Sequence, residues 1–140
     1  MKDRKTIGIE EEMKHERTIE ILDELIPRVE KINDELDAFD KEVEPDREFT
    51  TEQQSRLAEI ERRYESIAKE GKEKLPAEDA ELLDLDLILP FYGVITFTGQ
   101  RDYRSFKKFK SEVETCLTRM KARREALREY LKRTTGDSDH

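Results

Sequence analysis

Glu12 and His15 stand three residues apart, a Glu-x-x-His spacing that puts a carboxylate and an imidazole on one helix face, as a metal centre inside a helical bundle requires. Such a centre needs further inward-facing carboxylates and usually a second Glu-x-x-His. This chain has no second copy, so a metal would have to be completed across a symmetric interface. In a sequence so rich in Glu the pattern arises easily by chance, and a solvated His15 near a helix start is expected. Metal binding through Glu12 and His15 is kept as an alternative. Cys116 is the single cysteine and lies beside Leu117 on an apolar seam, where a thiol is expected to be buried and inert. There is no cysteine pair suited to zinc and no Gly-rich phosphate loop. Asp84 and Asp86 could form a carboxylate dyad, but paired Asp residues in a helical sequence more often sit at solvated or capping positions. These residues predict a protein that is not an enzyme and carries no cofactor.

Positive charge is the other chemical feature. Residues 101–133 hold 12 Lys and Arg against 5 Asp and Glu, whereas residues 1–100 hold 15 against 28, within an overall net charge of -8. Arg101, Arg104 and Lys108, then Lys121, Arg124, Arg128 and Lys132, recur at steps of three or four and form partial stripes along a helix. A phosphate-binding face would have this form, and a regulator acting on nucleic acid or a nucleic-acid-associated partner is one alternative function. Yet Glu112, Glu114, Glu125 and Glu129 interleave, and the acidic chain would repel a polyanion at long range. Attraction between an acidic helix and a basic one, within the chain or between subunits, accounts for the same residues without a nucleic acid.

The elements that would position these residues follow from spacing. Leu22, Leu25, Val29, Ile32, Leu36, Phe39 and Val43 step by three and four, the repeat that keeps one seam against a partner helix. With Leu22 at position a, Pro27 falls at the outward f position, and a kink is expected near residues 23–27. This first helix should run over residues 9–44, with Glu10, Glu11 and Glu12 in its first turn. Thr50 and Thr51 precede Gln53 and Gln54 by three, so either pair could cap a second helix over residues 51–71. Leu57, Ile60, Tyr64 and Ile67 supply its seam, and Gly71 among Lys69, Lys72 and Lys74 supplies stop chemistry. A last helix over residues 101–133 carries Tyr103, Phe106, Val113, Leu117, Met120, Leu127 and Leu131, with Lys110 and Arg124 in the two remaining seam positions as register-setting charges. Between them, Pro76 followed by Glu78, Asp79 and Glu81 predicts a helix over residues 77–89. A β-hairpin over residues 82–99 is the rival, since Leu83, Leu85, Leu87 and Leu89 alternate with Asp84, Asp86 and Ile88 before Pro90.

Together these elements predict an all-α fold, an antiparallel bundle of four helical elements with coiled-coil-like seams, in one domain over residues 1–140 whose ends at 1–8 and 134–140 are flexible. Charges and Pro90 inside the apolar stretch argue against a membrane span, and a lone cysteine without a leader segment predicts a cytoplasmic setting. The first and last helices would each be about 50 Å long and the second about 30–35 Å, so part of each long seam lacks cover. A homodimer or another helical protein is the expected partner. Phe91, Tyr92, Phe97, Arg101, Arg104, Lys108, Lys121 and Arg128 are the candidate contact residues. The three aromatics could alternatively line a site for a small apolar ligand.

Overall fold

The computed structural model describes residues 2–84 and 101–138, with side chains over residues 10–84 and 101–134. Among the described residues there are four helical elements and no strand, so the all-α bundle stands. Helix α1 spans Lys2–Glu42, α2 spans Thr51–Lys74, a 3₁₀ segment spans Ala77–Leu83, and α3 spans Tyr103–Ser138. Against the expected ranges of 9–44 and 101–133, α1 starts seven residues earlier and ends two earlier, and α3 starts two residues later and ends five later, because heptad spacing marks where a seam is apolar and not where the backbone stops being helical. Residues 85–100, which include Asp86, Phe91, Tyr92, Phe97 and most of the stretch where a helix and a hairpin compete, lie outside the described residues.

The seams pack as their spacing predicts. Leu22, Leu25, Val29, Ile32, Leu36, Phe39 and Val43 of α1 are buried in one cluster with Leu57, Ile60, Tyr64 and Ile67 of α2 and Phe106, Val113, Leu117 and Met120 of α3. Pro27 lies on the exposed side of α1, which continues through it as one helix. Ion pairs set the directions. Glu42 meets Arg56, Glu35 meets Arg63 and Arg28 meets Glu70, so α2 runs opposite to α1. Asp40 meets Lys107, Asp37 meets Lys110, Glu30 meets Lys121 and Asp23 meets Arg128, so α3 also runs opposite to α1 and parallel to α2.

The helix ends have local causes. Thr50 caps α2 through its hydroxyl, which accepts from the Gln53 amide at 3.1 Å, while the Gln53 side chain accepts from the Thr50 amide at 2.9 Å. Asp102 and Ser105 make the same reciprocal pair at the start of α3. Gly71 does not stop α2, which continues to Lys74. The stop is Leu75, whose extended backbone (φ -76°, ψ 150°) is what a residue preceding proline prefers. The expected helix over residues 77–89 takes 3₁₀ form and ends at Leu83, with Asp84 extended. There the Leu83 carbonyl accepts from the Tyr64 hydroxyl at 2.7 Å and the Asp84 carbonyl accepts from Cys116 Sγ at 3.3 Å. Both carbonyls at the end of the segment thus accept from side chains of α2 and α3.

Gly71 has a different task. A Cβ there would collide with Leu83 Cδ1 and sit 3.2 Å from Leu25 Cδ1, so the missing side chain lets the 3₁₀ segment close onto α2. Gly71→Ala should gain about 1 kcal/mol of helix propensity and lose about 1–3 kcal/mol to overpacking, since the Leu83 side chain that must shift is fully buried. A net destabilisation of about 1 kcal/mol is expected in urea unfolding. A variant more stable than the parent would show that Leu83 yields.

Candidate protein interface

The charged residues that sequence spacing offers as a surface are largely engaged inside the chain. Arg101, expected among the contact residues, is buried. Its guanidinium grips both carboxylate oxygens of Glu61 at 2.8–2.9 Å, with the two side chains only 5% and 6% exposed. Gln54 completes the clamp, donating to the Arg101 carbonyl at 2.7 Å and accepting from its amide at 2.8 Å. The capped start of α3 is thereby pinned to the first turns of α2. Lys121 lies 3.3 Å from Glu30, and Arg128 with Arg124 converges on Asp23 at 3.0 and 3.1 Å. Arg104 and Lys108 are exposed.

The two seam charges are answered by α1. Lys110, only 13% exposed, reaches Glu114 at 2.7 Å and Asp37 at 2.9 Å, and both interactions raise its pKa. Exposed pairs of this kind contribute about 0–1 kcal/mol each, so the ladders act chiefly on register and helix direction. One inversion sharpens that role: Glu42 and Glu35 face Arg56 and Arg63, whereas one heptad further the acid is Glu70 and the base is Arg28. A one-heptad slip would then oppose like charges.

Several carboxylates respond to these partners. Asp40 is held below its usual range chiefly by the Lys107 ammonium at 2.9 Å, Glu70 by Arg28, and Glu78 by Lys14 at 2.9 Å. A carboxylate depressed in the folded state contributes stability above its unfolded pKa, and that contribution is lost as the pH falls through the folded value. Glu65 works the other way, because burial first and then Glu61 raise its pKa. Three depressed groups against one raised group predict a melting temperature that is flat from about pH 7 to 5 and falls below about pH 4, the range in which unfolded carboxyls protonate. Circular dichroism melts across this range check the sign. A melting temperature that climbs between pH 5 and 3 would contradict it.

His15 Nε2 lies 3.9 Å from Glu11 and its ring meets Tyr130 edge-on at a centroid distance of 5.2 Å. No group of three or more His, Cys, Asp or Glu side chains able to hold a metal occurs among the described residues. Asp84 pairs with Lys72. Cys116 is buried, with its thiol on the Asp84 carbonyl. Open depressions of about 310 and 320 Å³ flank α2 and are rimmed by ion-paired residues, Arg63 with Glu35 in one and Arg101 with Glu61 in the other. No described helix is long and apolar enough to cross a membrane.

What remains open is the end of the long pair. Along α3 one stripe steps by seven: Phe109 packs on Tyr64, Cys116 meets Asp84, Arg123 binds the buried carboxylate of Asp79 at 2.7 Å, and Tyr130 follows, 46% exposed. The third layer, α2 and then the 3₁₀ segment, therefore covers α3 as far as Arg123. On α1 it reaches Lys14, through Glu78. Beyond those points the described structure contains α1 and α3 alone. Sequence spacing predicts uncovered seam ends, but the placement of this end depends on the 3₁₀ segment and its two acidic contacts. Compared with known proteins, the chain matches no family model, no curated protein and no solved structure.

Proposed function

We propose that this chain is a non-enzymatic helical assembly protein that works by presenting helix surfaces to another helical surface, its own copy first and a helical partner protein second, in a reducing, cytoplasmic setting. One observation carries the proposal: among the described residues, α1 and α3 continue about a dozen residues past the last contacts of the third layer, roughly 18 Å of two-helix projection. A pair of amphipathic helices without a third is poorly covered for its length, and such projections are where bundles recruit further helices. The ion-pair ladders support it as well, because they fix the long hairpin in one register and so present its end in one geometry.

Sedimentation equilibrium of the full chain at micromolar concentrations tests this. A dimer is expected. A 16.6 kDa species throughout would defeat self-association as the function. The basic stripe gives less support to a nucleic-acid regulator, since Lys107, Lys110, Lys121, Arg124 and Arg128 all face acids of α1 or of α3 itself.

A further inference from the structure

The projecting end has two sides, and one of them can be identified residue by residue. Arg123 meets Asp79 and Lys14 meets Glu78, so these two positions mark the side of α3 and of α1 that faces the third layer. Tyr130 lies seven residues beyond Arg123 and keeps its direction, with Arg133 three residues further on the same face. Glu10 lies four residues before Lys14 and shares its face. Past the 3₁₀ segment, then, this side presents Glu10 from α1 and Tyr130 and Arg133 from α3. All three are exposed, and neither Glu10 nor Arg133 has an ion-pair partner among the described residues. Met13, 63% exposed, lies three residues beyond Glu10 and so borders the same face, adding apolar surface beside the acid.

We infer that this side of the projecting end docks a second copy of the same chain about a two-fold axis, with Tyr130 packed at its centre and Arg133 of each copy against Glu10 of the other. The inference rests on the assembly function proposed above and names its surface. Charge order selects the occupant. An acid on one helix and a base on the other flank one aromatic, so a polyanion or a polycation would satisfy one charge and oppose the other. An isologous contact matches each charge with its opposite and repeats that match twice. The face is only a few helical turns long, well short of a standard interface, and suits a weak dimer with a dissociation constant in the micromolar range.

Sedimentation equilibrium on full-length chains tests the surface separately from the function. Tyr130→Asp and Arg133→Glu should each weaken the wild-type dimer at least about tenfold; thermal unfolding stays that of the parent for Arg133→Glu, whereas Tyr130→Asp also gives up the edge-on contact with His15 and keeps the parent's helix content by circular dichroism. Glu10→Arg should do the same. Mixing Arg133→Glu with Glu10→Arg should restore dimers, since each charge then meets its opposite across the interface, whereas either variant alone opposes like charges. A wild-type dimer that none of these substitutions weakens would overturn this surface and leave assembly to another face. A dimer weakened by the single variants but not restored by mixing would overturn the Glu10–Arg133 pairing. A wild-type monomer throughout would overturn both the surface and the function on which it rests.

Discussion

Glu61→Leu is expected to destabilise the chain by about 3–5 kcal/mol, a large share of the roughly 5–15 kcal/mol that holds a domain of this size together. The cause is the charge left behind. Arg101 is buried and directs its guanidinium onto both Glu61 oxygens, so removing the carboxylate takes the bidentate partner from a desolvated cation. Desolvation of that cation is offset chiefly by the bidentate pair, and an apolar Leu cannot replace those two hydrogen bonds. Replacing both partners, as in Glu61→Leu with Arg101→Met, removes the desolvated cation as well and should recover most of the loss, because buried pairs often add little net stability over apolar residues of similar volume. The Gln54 contacts to the Arg101 backbone persist in the double variant, so the start of α3 stays anchored. Urea unfolding of the two single variants and the double variant reads the coupling directly. A Glu61→Leu variant within about 1 kcal/mol of the parent would mean that water reaches the guanidinium.

How far the fold could be read from sequence depends on the range of the interaction responsible. The seams were legible because each apolar position reports on its own helix: Leu22 through Val43 repeats at three and four, and every member is buried. The capping boxes were legible for the same reason, with Thr50 and Gln53 three residues apart. Gly71 among lysines after a periodic run has the local form of a helix stop, whereas the reason for it, Leu83 pressing from the 3₁₀ segment, is a tertiary contact that no local signal carries. The Leu75-Pro76 step was the better local signal. Arg101 was placed among surface cations because nothing nearby marks it, since its carboxylate lies 40 residues earlier in a chain full of acids. The heptad-stepped ladder of Glu42, Glu35 and Arg28 against Arg56, Arg63 and Glu70 was available in the sequence once an antiparallel register was assumed. The open end at Tyr130 was not, because its position is set by where Asp79 and Glu78 land.

Phe39→Ala should also cost about 3–5 kcal/mol, through the cavity it leaves near the turn that joins α1 to α2. Phe39 is fully buried and is the shared member of an aromatic cluster: the Phe49 ring meets it edge-on at 5.3 Å and the Phe106 ring lies tilted at 4.9 Å. The Arg56 guanidinium caps it at 5.6 Å while also bonding Glu42 at 2.5 Å. One ring thus ties the end of α1 to the loop before α2, to the first turn of α3 and to a ladder residue of α2, and the site has little freedom to collapse when the ring is removed. Phe39→Leu keeps most of the volume and should cost no more than about 1.5 kcal/mol, which separates loss of packing from loss of the ring face. A double-mutant cycle between Phe39 and Phe106 should return a coupling of about 0.5–1.5 kcal/mol, the range of aromatic pairs in contact. Urea midpoints at an unchanged slope measure all three quantities. A Phe39→Ala loss under about 1 kcal/mol would place this end of the bundle in a loosely packed state and remove the hub that the cluster gives it.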